Sequence, residues 1–121
     1  MFSDIYRPER LAKVLDAFPK LTVIAAHFGG WSLWDLALQY LENKNCYLDT
    51  SSSMMYLGQR RSKELIKAYG AERMLFGTDY PMWNSVDDIE MLEKMELSQN
   101  EYELIFRKNA LKVLNIEEES K

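Results

Sequence analysis

The chain has 121 residues, 47% of them hydrophobic and 28% charged, which suits one α/β domain with a buried core and leaves no room for two. A net charge of -4 argues against nucleic-acid binding, which calls for a basic face. The lone Cys46 excludes an internal disulfide. No run approaches the ~18 apolar residues of a membrane span, and Met1-Phe2-Ser3-Asp4 lacks the basic and apolar regions of a signal peptide, so a cytoplasmic setting is expected.

Pro8 suits the first turn of a helix, where its missing N–H costs nothing. Leu11, Val14, Leu15 and Phe18 follow at the spacing of one helical face, and Pro19 ends the helix. Residues 21–26, rich in β-branched side chains, read as a strand buried on both faces, broken by Gly29-Gly30. Ser32 and Asp35 form a variant capping box for a helix with Leu33, Ala37, Tyr40 and Leu41 on its apolar face.

Residues 45–49 are a second strand, in which Cys46 is a buried, inert thiol. A helix then runs to about Tyr69, closed by Gly70 in the left-handed conformation. Residues 73–77 form a third strand. Ser85 caps the next helix, Ser98 and Glu101 make a second capping box, and Asn109 starts a last short helix. Residues 1–116 are expected to form the α/β domain and 117–121 a polar tail too hydrophilic to pack. Strands separated by helices imply parallel pairing with right-handed crossovers.

Chemistry concentrates at the strand ends. Gly77-Thr78-Asp79-Tyr80-Pro81 follows Met74-Leu75-Phe76, and His27, the only histidine, follows Thr22-Val23-Ile24-Ala25-Ala26. In parallel α/β folds, ligands and metals collect at the carboxyl ends of strands. His27 reads either as a ligand or as an imidazole tied to backbone, and Asp79 either as a ligand or as a turn former. Thr50-Ser51-Ser52-Ser53 is expected to cap the helix it opens, with anion binding at that helix N-terminus as the alternative. Trp31, Trp34 and Trp83 either line a pocket for a planar substrate or pack in the core.

Taken together, Ala26-His27-Phe28-Gly29-Gly30, Leu48-Asp49-Thr50-Ser51-Ser52 and Leu75-Phe76-Gly77-Thr78-Asp79-Tyr80-Pro81 resemble the amidohydrolase-related family. These are metal-dependent TIM-barrel hydrolases and decarboxylases, in the branch of aminocarboxymuconate semialdehyde decarboxylase. Phe18-Pro19-Lys20-Leu21 also fits. The stretch from Glu103 to Leu114, with Asn109-Ala110 before the last helix, is similar to that family's closing helices.

The resemblance implies a divalent metal, zinc by expectation, with His27 and Asp79 at ligand positions. It implies a metal-activated water, with Asp79 as the catalytic base. His27 would be a ligand or would polarise the substrate. A small-molecule substrate would meet Trp31, Ser51, Tyr80 and Trp83. The reading requires His27 and Asp79 to face a common cavity on one rim of the sheet.

The resemblance covers only part of a barrel. A full (β/α)8 barrel needs roughly 200 residues or more, and the three strands resemble the sixth to eighth. A single His leaves no counterpart for the family's His-x-His pair or its fifth-strand ligand. Two ligands are too few where a catalytic zinc takes about three plus water. The expectation is therefore the last three β/α units of a barrel with extra C-terminal helices, incomplete and inactive alone. It would join either a complementing N-terminal barrel portion or further copies of itself. The alternative is a non-catalytic α/β module that binds a ligand or partner and self-associates to cover two open sheet edges.

Overall fold

The computed structural model describes residues 7–117; the expected tail beyond Glu117 lies outside the described residues, as do residues 1–6. The elements in chain order are α1 (Pro8–Ala17), β1 (Ile24–Ala25), a 3₁₀ turn (His27–Gly29), α2 (Trp34–Leu41), β2 (Tyr47–Asp49) and α3 (Met54–Tyr69). A second 3₁₀ turn (Ala71–Arg73), β3 (Met74–Leu75) and α4 (Ser85–Glu93) follow. The chain closes with α5 (Gln99–Glu103), a π-helical stretch (Leu104–Lys108) and α6 (Asn109–Val113).

The strands form one parallel sheet in the order β1-β2-β3, with Ile24 opposite Tyr47, Leu48 opposite Met74 and Asp49 opposite Leu75. The parallel α/β pattern expected of the last three barrel units is therefore present, with strands shorter than the apolar runs.

Alternation along these strands decides which face is covered. Ala25, Leu48 and Met74 share one row and are 4%, 0% and 0% exposed, packed with Phe28, Ala37, Leu41, Leu65 and Ile66. Ile24, one residue earlier, points to the other face and is 46% exposed. Strand β1 is thus buried on one face only, not on both as the apolar run implies. The helices lie on one side of the sheet, and the side that faces inward in a closed barrel is open at β1.

Three local expectations shift. Helix α1 buries Pro8, Ala12 and Leu15, a stripe offset from the larger residues, and leaves Val14 and Phe18 exposed. Ser32 does not cap α2: the cap position is Leu33, without a side-chain bond, and Ser32 itself has φ 62°. Helix α4 is capped by Asn84, whose side chain accepts from Val86 N at 2.8 Å, not by Ser85. Helix α5 does carry the expected reciprocal box, Ser98 with Glu101.

The tight turn after β1 depends on Gly29. It has φ +90°, and a Cβ there would come within 2.6 Å of Leu41 Cδ1 and 3.2 Å of Ala37 Cβ, so α2 packs directly on glycine backbone. Gly70 ends α3 at φ 100° and ψ 135°, a positive φ outside the left-handed helical region that was expected. Helix α3 is also broken at Gly58 (φ 82°, ψ 165°), which sets its first turn apart from the rest.

The outer edge of β3 is not open. Phe76 N donates to Ile105 O at 3.0 Å, and Asn109 Nδ2 donates to Met74 O and Ala71 O, each at 2.7 Å. The closing helical segment therefore supplies partners where a neighbouring strand would lie. Among the described residues the β3 edge has such cover, so one of the two open edges expected is closed. Arg73 bridges the other end of the sheet, donating to the carbonyls of Leu41, Glu42, Lys44 and Cys46 at 2.6–2.9 Å. It thereby satisfies acceptors that the C-terminus of α2 leaves over. Cys46 is buried, and desolvation pushes its thiol above the usual range, as an inert thiol requires.

Candidate functional site at the strand carboxyl ends

The site is built on the segment that leaves β2. Asp49 ends the strand, and Thr50, Ser51, Ser52 and Ser53 follow, all buried. Buried hydroxyls must find partners, and here each finds one, mostly on the segments that leave the neighbouring strands. Thr50 Oγ1 donates to Gly77 O at 3.1 Å and accepts from Gly77 N at 3.2 Å, which fastens the end of β2 to the loop after β3. Ser51 Oγ lies 2.8 Å from His27 Nδ1 and donates to Asp49 Oδ1 at 2.5 Å. Ser52 Oγ donates to Asp79 Oδ2 at 2.8 Å and accepts from Trp83 Nε1 at 2.8 Å. Ser53 Oγ accepts from Trp34 Nε1 at 3.1 Å and donates to Ser51 O at 2.9 Å.

The hydroxyl cluster therefore does not supply the side-chain cap of α3 that was expected. Ser53 occupies the cap position of α3 but makes no side-chain cap bond, because its hydroxyl is spent on Trp34 and Ser51. Consecutive serines instead hold His27 on one side and Asp79 on the other. The two residues singled out from sequence sit on one rim, joined through Ser51-Ser52.

That rim is open rather than enclosed. Asp79 is exposed and Tyr80 is 80% exposed. Two grooves of about 380 and 320 Å3 lie elsewhere, one beside Phe18, Leu21 and Lys44 and the other beside Leu33, Leu57 and Arg61. Neither includes His27 or Asp79.

The backbone here is held in uncommon conformations. Of seven non-glycine residues with positive φ among the described residues, His27, Phe28, Ser32, Ser52 and Asp79 lie in the loops at this rim. Such residues persist where surrounding bonds over-determine them, and they gather at functional sites. The Tyr80–Pro81 peptide bond is cis.

Four aromatic rings border the rim. Trp31 and Trp83 each meet Tyr56 edge to face, with centroids 5.8 and 6.0 Å apart, and Trp31 meets Trp34 at 6.4 Å. Trp31 Nε1 donates to Ser52 O at 3.0 Å, so the indoles are oriented by the serine segment. Tyr56, 55% exposed between the two indoles, went unnoticed in the sequence. Its position in the first turn after the serine run was the available signal, masked by the assumption of a continuous helix. The Ser51 hydroxyl meets His27 and Asp49. Among the described residues no group of three or more His, Cys, Asp or Glu is placed to hold a metal ion, and no helix is long and apolar enough to cross a membrane.

A parallel sheet with its helices on one side, carrying an imidazole, a carboxylate and indoles at the strand carboxyl ends, is part of a TIM barrel. The chain belongs to the amidohydrolase family, whose model matches residues 5–116. A dihydroxybenzoic acid decarboxylase from a Polaromonas species, solved with manganese and the inhibitor 2-nitroresorcinol, is similar at 24% identity and TM-score 0.69; the match covers 89% of this chain and 38% of that one. An amidohydrolase from Bifidobacterium longum subsp. infantis is similar at 23% identity and TM-score 0.70, over 91% of this chain and 46% of that one. A TIM-barrel protein from Bordetella bronchiseptica shares 30% identity at TM-score 0.67, over 89% and 39% of the two chains. No curated protein matches the chain. The chain thus spans less than half the length of each of these three structures.

Proposed function

We propose that this chain forms the C-terminal part of a metal-dependent amidohydrolase-like hydrolase or decarboxylase. One observation carries the reading: His27 and Asp79 hang from adjacent serines of a single buried segment, on one rim of the sheet. In this reading His27 and Asp79 occupy metal-ligand positions, and Asp79 is also the base. Trp31, Ser51, Tyr80 and Trp83 face a small planar substrate, and Tyr56 joins them.

The described residues do not complete a metal centre. His27 and Asp79 are two donors, where a catalytic zinc takes about three protein ligands plus water. The remaining donors would come from a complementing N-terminal barrel portion docked against β1 and the open sheet face. Zinc is the expected metal, with manganese supported by the Polaromonas structure. No catalytic step is assigned to this chain alone, and the setting is taken as cytoplasmic.

The test is to express the chain together with the coding region that precedes it and to measure bound metal. Stoichiometric zinc or manganese, lost in His27→Ala and in Asp79→Ala while folding is kept, is the expected result. A full metal complement in both variants would refute the reading.

The second reading is a non-catalytic module that self-associates. Exposed Phe18, Leu21 and Ile24 along the β1 side favour it. Sedimentation of the chain as a stable homo-oligomer, with no metal taken up in any combination, would support this reading over the first.

A further inference from the structure

The bonds around His27 carry more than its placement. Its backbone N donates to Asp49 Oδ1 at 2.9 Å, and the same oxygen accepts from Ser51 N at 3.0 Å and from Ser51 Oγ at 2.5 Å. A serine hydroxyl has one proton. At 2.5 Å from a carboxylate oxygen, that proton must lie between the two oxygens, because otherwise lone pairs would face each other. Ser51 Oγ therefore has only a lone pair to offer His27 Nδ1 at 2.8 Å. The other neighbour of Nδ1 is Ser51 O at 3.0 Å, a carbonyl that can only accept. Both groups beside Nδ1 are acceptors, so Nδ1 must be the donor.

We infer that Asp49 and Ser51 are positioning residues that lock the neutral imidazole of His27 in the Nδ1–H tautomer, leaving the Nε2 lone pair directed out of the protein framework. Free histidine in water prefers the opposite tautomer, so the protein imposes this one. Nε2 has no hydrogen-bond partner among the described residues, and His27 is partly exposed. An imidazole held at one nitrogen and free at the other is the arrangement by which proteins fix a histidine for metal ligation or proton acceptance. Its use toward substrate or metal rests on the function proposed above, whereas the tautomer itself follows from the bonds.

The same bonds give Asp49 its role. It sits at a strand end beside His27 and Asp79, where a third ligand would be welcome. Yet its Oδ1 is already taken by three donors from the turn it organises.

His27 is the only histidine, so its ring nitrogens can be read without ambiguity in the 15N-labelled 121-residue chain. Long-range 1H–15N correlation spectra are recorded at mildly alkaline pH. The expected pattern is a pyrrole-type shift at Nδ1 and a pyridine-type shift at Nε2. Asp49→Asn keeps an oxygen able to accept the same donors and should retain that pattern. Asp49→Ala frees the Ser51 hydroxyl proton to turn toward Nδ1, so the two ring shifts should move toward each other as the Nε2–H form gains population.

A pyrrole-type Nε2 in the unaltered chain overturns the inference. An unchanged pattern in folded Asp49→Ala overturns the part given to Asp49. Should that variant not fold, the unaltered chain and Asp49→Asn still decide. No metal or turnover enters these spectra, so their outcome is separate from that of the metal assay.

Discussion

Asn109 is the residue whose replacement should most clearly reveal how the strand ends are held. It is 3% exposed, and its Nδ2 lies 2.7 Å from both Ala71 O and Met74 O. Both partners are carbonyls, which only accept, so the amide nitrogen must face them. In Asn109→Ala two donated bonds vanish, each worth about 0.5–1.5 kcal/mol net. Ala71 O keeps the bond from Met74 N, whereas Met74 O loses its partner on the outer edge of β3. Stranding a buried acceptor adds about 1–3 kcal/mol. The expected destabilisation is about 2–6 kcal/mol, a large share of the roughly 5–15 kcal/mol available to a domain. Asn109→Asp should cost more than alanine at neutral pH, because a carboxylate would aim lone pairs at two carbonyls. The assay is urea unfolding followed by tryptophan fluorescence, in which the midpoint falls while the slope stays constant. An Asn109→Asp chain as stable as the unaltered one at pH 7 would refute the bonding described for this residue.

Gly29→Ala should destabilise by about 2 kcal/mol or more, since it combines a positive-φ penalty with overpacking against Leu41 and Ala37; thermal unfolding checks this, and a neutral result would mean α2 can move aside. Asp88 is buried in the first turns of α4, and its carboxyl is raised above the ordinary value by desolvation first and by Asp87 second. The folded chain thus holds that proton more tightly than the unfolded chain. The group's stability penalty is absent at pH below the ordinary value near 3.8, grows as pH rises through the raised folded value, and is fully present at pH 7. Asp88→Asn should therefore raise the melting temperature at pH 7 and leave it little changed at low pH; a lower melting temperature at pH 7 would refute this. The Tyr69 hydroxyl is buried without a hydrogen-bond partner among the described residues. Tyr69→Phe should accordingly be neutral or stabilising by about 1 kcal/mol in the same melt, and a clear loss of stability would point to a partner for that hydroxyl.

The sequence by itself determined what is local or periodic. Alternating apolar runs and helical faces imposed parallel strands joined by helices. Pro8 marked the start of α1, and Ser98 with Glu101 marked the start of α5, because both signals act within one helical turn. A histidine and an aspartate directly after apolar runs placed both residues on the strand carboxyl rim.

Tertiary structure decided which partners the polar groups took. Ser51, Ser52 and Ser53 could have capped the helix they precede, yet they turn to His27, Asp79 and Trp34, brought near by the connections that follow β1 and β3. Asn109 opens α6 as expected, but within a continuous helical run, and its carboxamide reaches back to the β3 edge some 35 residues earlier in the chain. Tyr56 meets two indoles that lie on separate loops. Hydrogen bonds and ring contacts of this kind depend on atoms coming within a few ångströms across the fold. No spacing along a single strand or helix encodes that proximity, and so the donors and acceptors of the rim became legible only once the sheet was assembled.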